Sequence, residues 1–266
     1  MLEFLLHLYQ GDGHRGLGYS AINSARSALS TIIFLDGRPI GQHPLVVRFL
    51  RAVFNERPAL PRYSITWDVD LVLNYIRSLG PSKKMSLTLL SHKLTMLLVL
   101  LAGQRCQTVH LFDIRNMNLS FSYVRFSVGD VLKTSGPGRH VAQVSYKAYA
   151  PDRRLCVVTA LKWYLRQTLE RRGNVKRLLI TLRPPFKAVS RDTVRRWVRT
   201  CMANAGLDLS IFAPHSTRAA STSKAVTKVP LLTICKTAGW AGDSVFTKYY
   251  NKPVDTSLEF SNAVLH

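Results

Sequence analysis

Acidic residues are scarce in this 266-residue chain, with fifteen Asp and Glu against thirty-seven Lys and Arg, for a formal charge of +22. That leaves little material for a mechanism built on paired carboxylates. Cysteine is also sparse: Cys106, Cys156, Cys201 and Cys235 lie far apart, form no C-x-x-C pair and have no histidine at ligand spacing. They read as reduced thiols, neither zinc ligands nor a disulfide framework, so no bound metal is expected. Long apolar runs are missing too. The longest of note, residues 94–101, falls well short of the ~20 residues that cross a bilayer. Residues 1–6 are too short and too acidic for a secretory signal. The chain therefore reads as soluble and intracellular, with no membrane partner. No internal repeat or low-complexity segment occurs, which excludes a solenoid.

What is present is a chain with 47% apolar residues, enough to bury a core, and long enough for two modest domains or one large one. The charge is uneven. Residues 1–80 hold eight arginines, no lysine and six acidic residues, a balance of +2, and residues 81–266 carry the remaining +20. Such asymmetry points to a polyanionic partner for the second part, nucleic acid first among them.

The first eighty residues read as four helices. One covers 2–9. A second covers 21–34, capped by Ser20, with Ala21, Ala25, Ala28 and Ile32 on one face. A third covers 45–54, with Val46, Phe49, Leu50 and Val53 inward. The fourth covers 67–79, capped by Thr66, with Val69, Val72, Ile76 and Leu79 as its stripe. The breakers of Gly80-Pro81-Ser82-Lys83-Lys84 mark a linker, giving a helical domain over 1–80 and a larger basic domain over 81–266.

The second part mixes helix and strand, so the fold class is α+β, mainly α with a small β component. Leu87, Leu90, Leu94, Leu97 and Leu101 recur at helical spacing, and Gly103 ends that helix. Strands are expected over 117–128 and 141–146, with the turn Thr134–Gly138 between them, and a short one over 178–182. Leu155, Val158, Leu161, Leu165 and Leu169 mark another helix. Ser190 caps a further one, with Val194, Trp197, Val198 and Cys201 on one face and Arg191, Arg195 and Arg199 on another. That basic face is assigned to DNA.

The residues with chemistry cluster late. His215 and Arg218 stand at i,i+3, after Pro214, which favours a helix start. Gly239-Trp240 follows a short helix later, and Tyr249-Tyr250 close the next one, capped by Asp243. Upstream, Arg105 follows the apolar helix and Lys133 precedes the turn. Two arginines, a lysine, a histidine and a tyrosine suit transesterification at a phosphodiester. Arginine's planar fork holds two phosphate oxygens and stays charged. A pair of such clamps stabilises a pentavalent transition state without metal.

The run HSTRAASTSKA…VPLLTICKTAGW…FTKYYNKPV resembles the tyrosine recombinase family, and within it the recombinases of DIRS/Ngaro-type retrotransposons. The likeness covers nearly the whole chain and is weakest over residues 1–15. It implies a helical SAM-like core-binding domain, a mixed α/β catalytic domain, and a C-shaped clamp on duplex DNA with Lys83 and Lys84 at the linker. It implies Arg105 and Arg218 as the phosphate clamps, although Thr108 stands where many members carry an acidic residue. Lys133 corresponds to the hairpin lysine that protonates the departing 5′ oxygen, while Arg139 across the turn reads as a phosphate contact. His215 assists the tyrosine proton, and Trp240 offers an indole N–H to a phosphate oxygen.

Two registers compete for the nucleophile. A count of nine from Trp240 lands on Tyr249, whereas the Asn-Lys-Pro match anchors Tyr250. The second is preferred, because loop length before the tyrosine varies. The implied activity is DNA breaking and rejoining through a 3′-phosphotyrosyl link, for integration of a mobile element in the nucleus. It needs no cofactor, and dimers or tetramers would assemble on double-stranded DNA. A type IB topoisomerase-like activity and a non-catalytic DNA-binding relic are the alternatives.

Overall fold

Residues 1–62 and 63–266 form two units in the computed structural model, which describes residues 1–11, 15–59, 64–133, 135–137, 140, 143–240, 246–247 and 250–254. The first unit contains helices α1 (Leu2–Gln10), α2 (Tyr19–Leu29) and α3 (Pro44–Glu56). Proline at the first turn of α3 and the His43 ring accepting from the Leu45 amide begin that helix, as fixed φ and a spare acceptor should. Leu5, Ile22, Val46, Leu50 and Val53 form the core.

Helix α2 ends sooner than the apolar spacing suggests. It begins at Tyr19 after Gly18 and stops at Leu29. Phe34–Leu35 and Arg38–Pro39 then pair as antiparallel strands β1 and β2. Asp36 and Gly37 both hold positive φ, 51° and 73°, the conformation that two-residue hairpin turns require and Asp-Gly supplies.

The second unit contains helices α4 (Val69–Ser78), α5 (Leu87–Leu101), α6 (Cys106–His110), α7 (Val157–Thr168), α8 (Arg191–Asn204), α9 (Ser216–Val226) and α10 (Leu231–Ala238). Strands β3 (Met117–Leu119), β4 (Tyr123–Ser127) and β5 (Gln143–Lys147) form an antiparallel sheet in that order. The strand expected over 117–128 is thus two, broken where Ser120 Oγ accepts from the Ser122 and Tyr123 amides. Residues 178–182 make only an isolated bridge, Ile180 with Ala188. Val124, Phe126, Val144 and Tyr146 turn inward while their neighbours turn out, the period of two proper to a half-buried sheet. Tyr146 also donates its hydroxyl to Leu98 O at 2.7 Å, tying sheet to α5.

Helix α5 is the axis of this unit. Ten of its residues are buried, from Leu90 to Leu100, so it is covered on nearly every face rather than along one stripe. Leu101, assigned to the inner face by spacing, is exposed. Helices α7, α8 and α9 and the turn to α6 surround it. None of the helices among the described residues is long and apolar enough to cross a membrane.

The boundary expected at residue 80 lies earlier. Trp67, Val69, Val72 and Ile76 belong to the core of the second unit, and Asp68, not Thr66, caps α4. Trp67 Nε1 donates to Ser216 Oγ at 2.8 Å, and Lys224 pairs with Asp70 at 2.6 Å. The turn at 80–84 is packed as well: Ser82 and Met85 are buried, and the buried Lys93 ammonium donates to Gly80 O at 3.2 Å. Each large apolar side chain removed from water contributes ~1.5–3 kcal/mol. A fragment 63–266 is therefore expected to unfold cooperatively, and a fragment 81–266 at much lower denaturant or not to fold at all. Equal denaturation midpoints for the two would contradict this division.

Candidate active site

Two helix ends converge at Arg218. Helix α5 leaves through Gly103, whose φ of 55° lets the chain turn away beside α9, where a Cβ would crowd Thr222 at 3.3 Å. Helix α10 ends at Gly239 in the left-handed conformation, with the Trp240 amide donating to Cys235 O, as a helix-ending glycine permits. The carbonyls at these two ends point at one cation. Arg218 Nη1 donates to Gly103 O at 3.0 Å and Nη2 donates to Ala238 O. A guanidinium suits this place because it meets the negative ends of two helices at once. Its plane is thereby fixed.

Gln104 laces the same two ends, donating to Ala102 O at 3.2 Å and Thr237 O at 2.7 Å while 2% exposed. It escaped the sequence reading. A buried amide between a helix-ending glycine and an arginine is visible locally, but its partner at residue 237 is not.

Arg105 and Arg218 line one cleft of about 490 Å³ with Gln104, Gln107, Lys133, His215 and Tyr250. Arg105 is half-buried at the start of α6, and His215 is exposed at the N-cap of α9. Lys133 is exposed in the connection between β4 and β5 rather than on a strand. Its amide donates to Gln107 Oε1 at 3.3 Å, which ties that connection to a side chain two residues after Arg105. Gln107 is a second residue that the sequence reading missed.

Arg191 and Arg195 also line the cleft, from α8, whereas Arg199 is exposed further along the same helix. Ser190 Oγ caps α8 by accepting from the Thr193 amide. Asp192 is the single carboxylate in the lining, against five Lys and Arg side chains. Lys83 and Lys84 do not join this cluster. They stand at the opposite end of α5, which its 15 residues place ~20 Å away at 1.5 Å per residue. Arg139, Tyr249 and Asp243 lie outside the described residues.

Tyr250 faces Arg218 from the end of the chain. Its amide and that of Asn251 both donate to Phe246 O, closing a helical turn. Its ring stacks on Trp240 with centroids 4.5 Å apart, and the Arg218 guanidinium carbon lies 5.5 Å from the Tyr250 ring centre and 4.7 Å from that of Trp240. Trp240 is buried behind the cleft rather than lining it.

Burial pushes the Arg218 pKa down, the neighbouring Arg105 charge pushes it further, and Tyr250 opposes both. Arg218 Nε and Trp240 Nε1 are buried donors with no hydrogen-bond partner among the described residues, a state that costs about 1–3 kcal/mol each where it holds. An anion in the cleft would relieve the repulsion between the Arg105 and Arg218 charges. Among the described residues, no three His, Cys, Asp or Glu gather as metal ligands. Cys106, beside Arg105, is pushed up to about 11 by burial, the thiol form.

No protein-family model matches the sequence, and no curated protein does. Solved structures do resemble the fold. XerA recombinase aligns over 99% of this chain and 88% of its own, with 15% identity and a TM-score of 0.52. The post-cleavage complex of the XerH site-specific recombinase with a palindromic difH substrate aligns over 99% and 77%, with 11% identity and a TM-score of 0.54. The XerH pre-cleavage complex gives 94%, 71%, 12% and 0.51. The α+β fold is that of the tyrosine recombinases.

Proposed function

We propose that this chain breaks and rejoins duplex DNA by transesterification at Tyr250. The observation that carries the reading is the single cleft shared by Arg105, Lys133, His215, Arg218 and Tyr250, side chains from distant parts of the sequence. The two arginines hold the non-bridging oxygens of the scissile phosphate, and the Tyr250 oxygen attacks phosphorus. His215 takes the phenolic proton, needed because tyrosine with a pKa of ~10 is a weak nucleophile near neutrality. The bond from phosphorus to the 5′ oxygen breaks, and Lys133 protonates that oxygen as it leaves. The products are a 3′-phosphotyrosyl link and a 5′ hydroxyl.

Attack by the 5′ hydroxyl of a partner strand reverses the steps. The ester bond is exchanged rather than hydrolysed, so the scheme runs on neither ATP nor a metal ion. Exchange between duplexes calls for two or four copies on DNA. We read the reaction as integration of a mobile element in the nucleus, on the retroelement resemblance of the sequence alone. Arg191, Arg195 and Arg199 hold flanking phosphates, and binding should weaken steeply with salt as the gain from releasing counterions shrinks. The test is incubation with candidate element-end duplexes, followed by a search for a denaturant-resistant protein–DNA adduct. None on any such duplex would leave only DNA binding.

Lys133 as the proton donor has its own check. Sulfur in place of the bridging 5′ oxygen departs without protonation. Lys133→Ala should therefore be slow on ordinary DNA and largely restored on the sulfur substrate. Restoration in Arg139→Ala but not in Lys133→Ala would move the role across the turn.

A further inference from the structure

The segment that carries Tyr250 is clasped from behind by one hydroxyl. Ser223 Oγ donates to Tyr250 O at 2.7 Å and accepts from the Lys252 amide at 3.1 Å. It thus holds both sides of Asn251. Ser223 lies on α9, the helix that carries Arg218. A second tie follows: the Thr66 amide donates to Pro253 O at 2.8 Å, and Thr66 bridges Val254 as a parallel pair. Thr66 is itself held to α9, since its neighbour Trp67 donates to Ser216 Oγ.

These bonds matter because they hold the backbone on both sides of Asn251, directly after the tyrosine. Only one turn of helix precedes Tyr250 among the described residues, through Phe246 O. Residues 251–253 have no regular secondary structure. Outside a helix or sheet, backbone amides and carbonyls take their acceptors and donors from elsewhere. Ser223 supplies one of each.

We infer that Ser223 is a positioning residue that fixes Tyr250 in register with Arg218 of the same chain. The inference rests on Tyr250 being the nucleophile. Ser223 touches no reacting atom. It sets where the phenol stands relative to the phosphate clamps, and near-attack placement governs the rate of such a transfer. The clasp also favours attack by a chain's own tyrosine, because release of Tyr250 to another copy breaks both Ser223 bonds.

The experiment pairs two readouts on the full chain, for Ser223→Ala and Ser223→Thr. The first is hydrogen exchange of the peptide spanning 250–252, free of DNA. The second is the single-turnover rate of adduct formation at saturating duplex, with the DNA Kd measured alongside. Ser223→Ala should speed exchange at the Lys252 amide more than tenfold and slow adduct formation about tenfold, with Kd unchanged. Ser223→Thr keeps a hydroxyl and should restore both. Unchanged exchange in Ser223→Ala would remove the clasp, and faster exchange with a normal cleavage rate would remove its positioning role. If the native chain forms no adduct on any DNA, the proposed function fails and this role for Ser223 falls with it, while the exchange data still decide whether the clasp exists.

Discussion

Tyr250→Phe should abolish the covalent protein–DNA adduct while leaving duplex binding intact. The substitution removes one oxygen and keeps the ring. The stack on Trp240 at 4.5 Å and the contact of Arg218 with the ring both survive, so the variant should fold and present the same cationic cleft. Tyr249→Phe should be nearly silent, because the run FTKYYNKP resembles the pattern F-x-K-F-Y-N-K-P, in which phenylalanine stands at that position. Successive side chains of a helix diverge by about 100°, so only one of the pair meets the phosphate in a given register. The measurement is adduct yield after denaturation, with DNA affinity in parallel. Adduct formation by Tyr250→Phe at the native level would remove Tyr250 from the chemistry.

Arg105→Lys and Arg218→Lys should each lower the cleavage rate by about 10²–10³-fold, the loss typical of removing one transition-state donor, with little change in DNA affinity. Both keep the charge and lose the planar fork. At Arg218 the fork spans two carbonyls, Gly103 O and Ala238 O, which one ammonium cannot meet in the same geometry. That variant should also be less stable, since it leaves a buried helix-end carbonyl unpaired. Arg105 is half-buried at the cleft wall, so its variant separates catalysis from folding more cleanly. Near-normal cleavage by both would take these residues out of the site.

Much of the larger unit was legible because its signals are local. Ser190 before an apolar stripe marks α8, and in the smaller unit Val46, Leu50 and Val53 mark α3 in the same way. The His215-to-Arg218 spacing and the Gly239-Trp240 pair likewise identified side chains that the fold brings to one place. What escaped depends on distant partners. The stretch Gly80-Pro81-Ser82-Lys83-Lys84 has the composition of a linker, but a packed turn uses the same residues. The burial of Ser82 and Met85 and the buried Lys93 reaching Gly80 O distinguish them. For the same reason α4 looked like part of the first unit: its stripe is the same whichever core receives it.

Gln104 and Ser223 show the limit from the other side. Both are unremarkable polar residues in sequence, and both matter through backbone groups 133 and 27 residues away. The hairpin at 34–39 is a different case. Asp36-Gly37 was a readable turn signal, overridden by an apolar pattern carried too far into residues 30–34.

The central claim is that Tyr250 attacks DNA, and peptide mapping of a trapped adduct tests it most directly. The native protein is incubated with an element-end duplex carrying the bridging sulfur, so that the released thiol does not reverse the attack. The adduct is then digested and the nucleotide-bearing peptide sequenced by mass spectrometry. Modification at Tyr250 is the expected result. Modification at Tyr249 or at any other residue, or no adduct on every candidate duplex, would contradict the account.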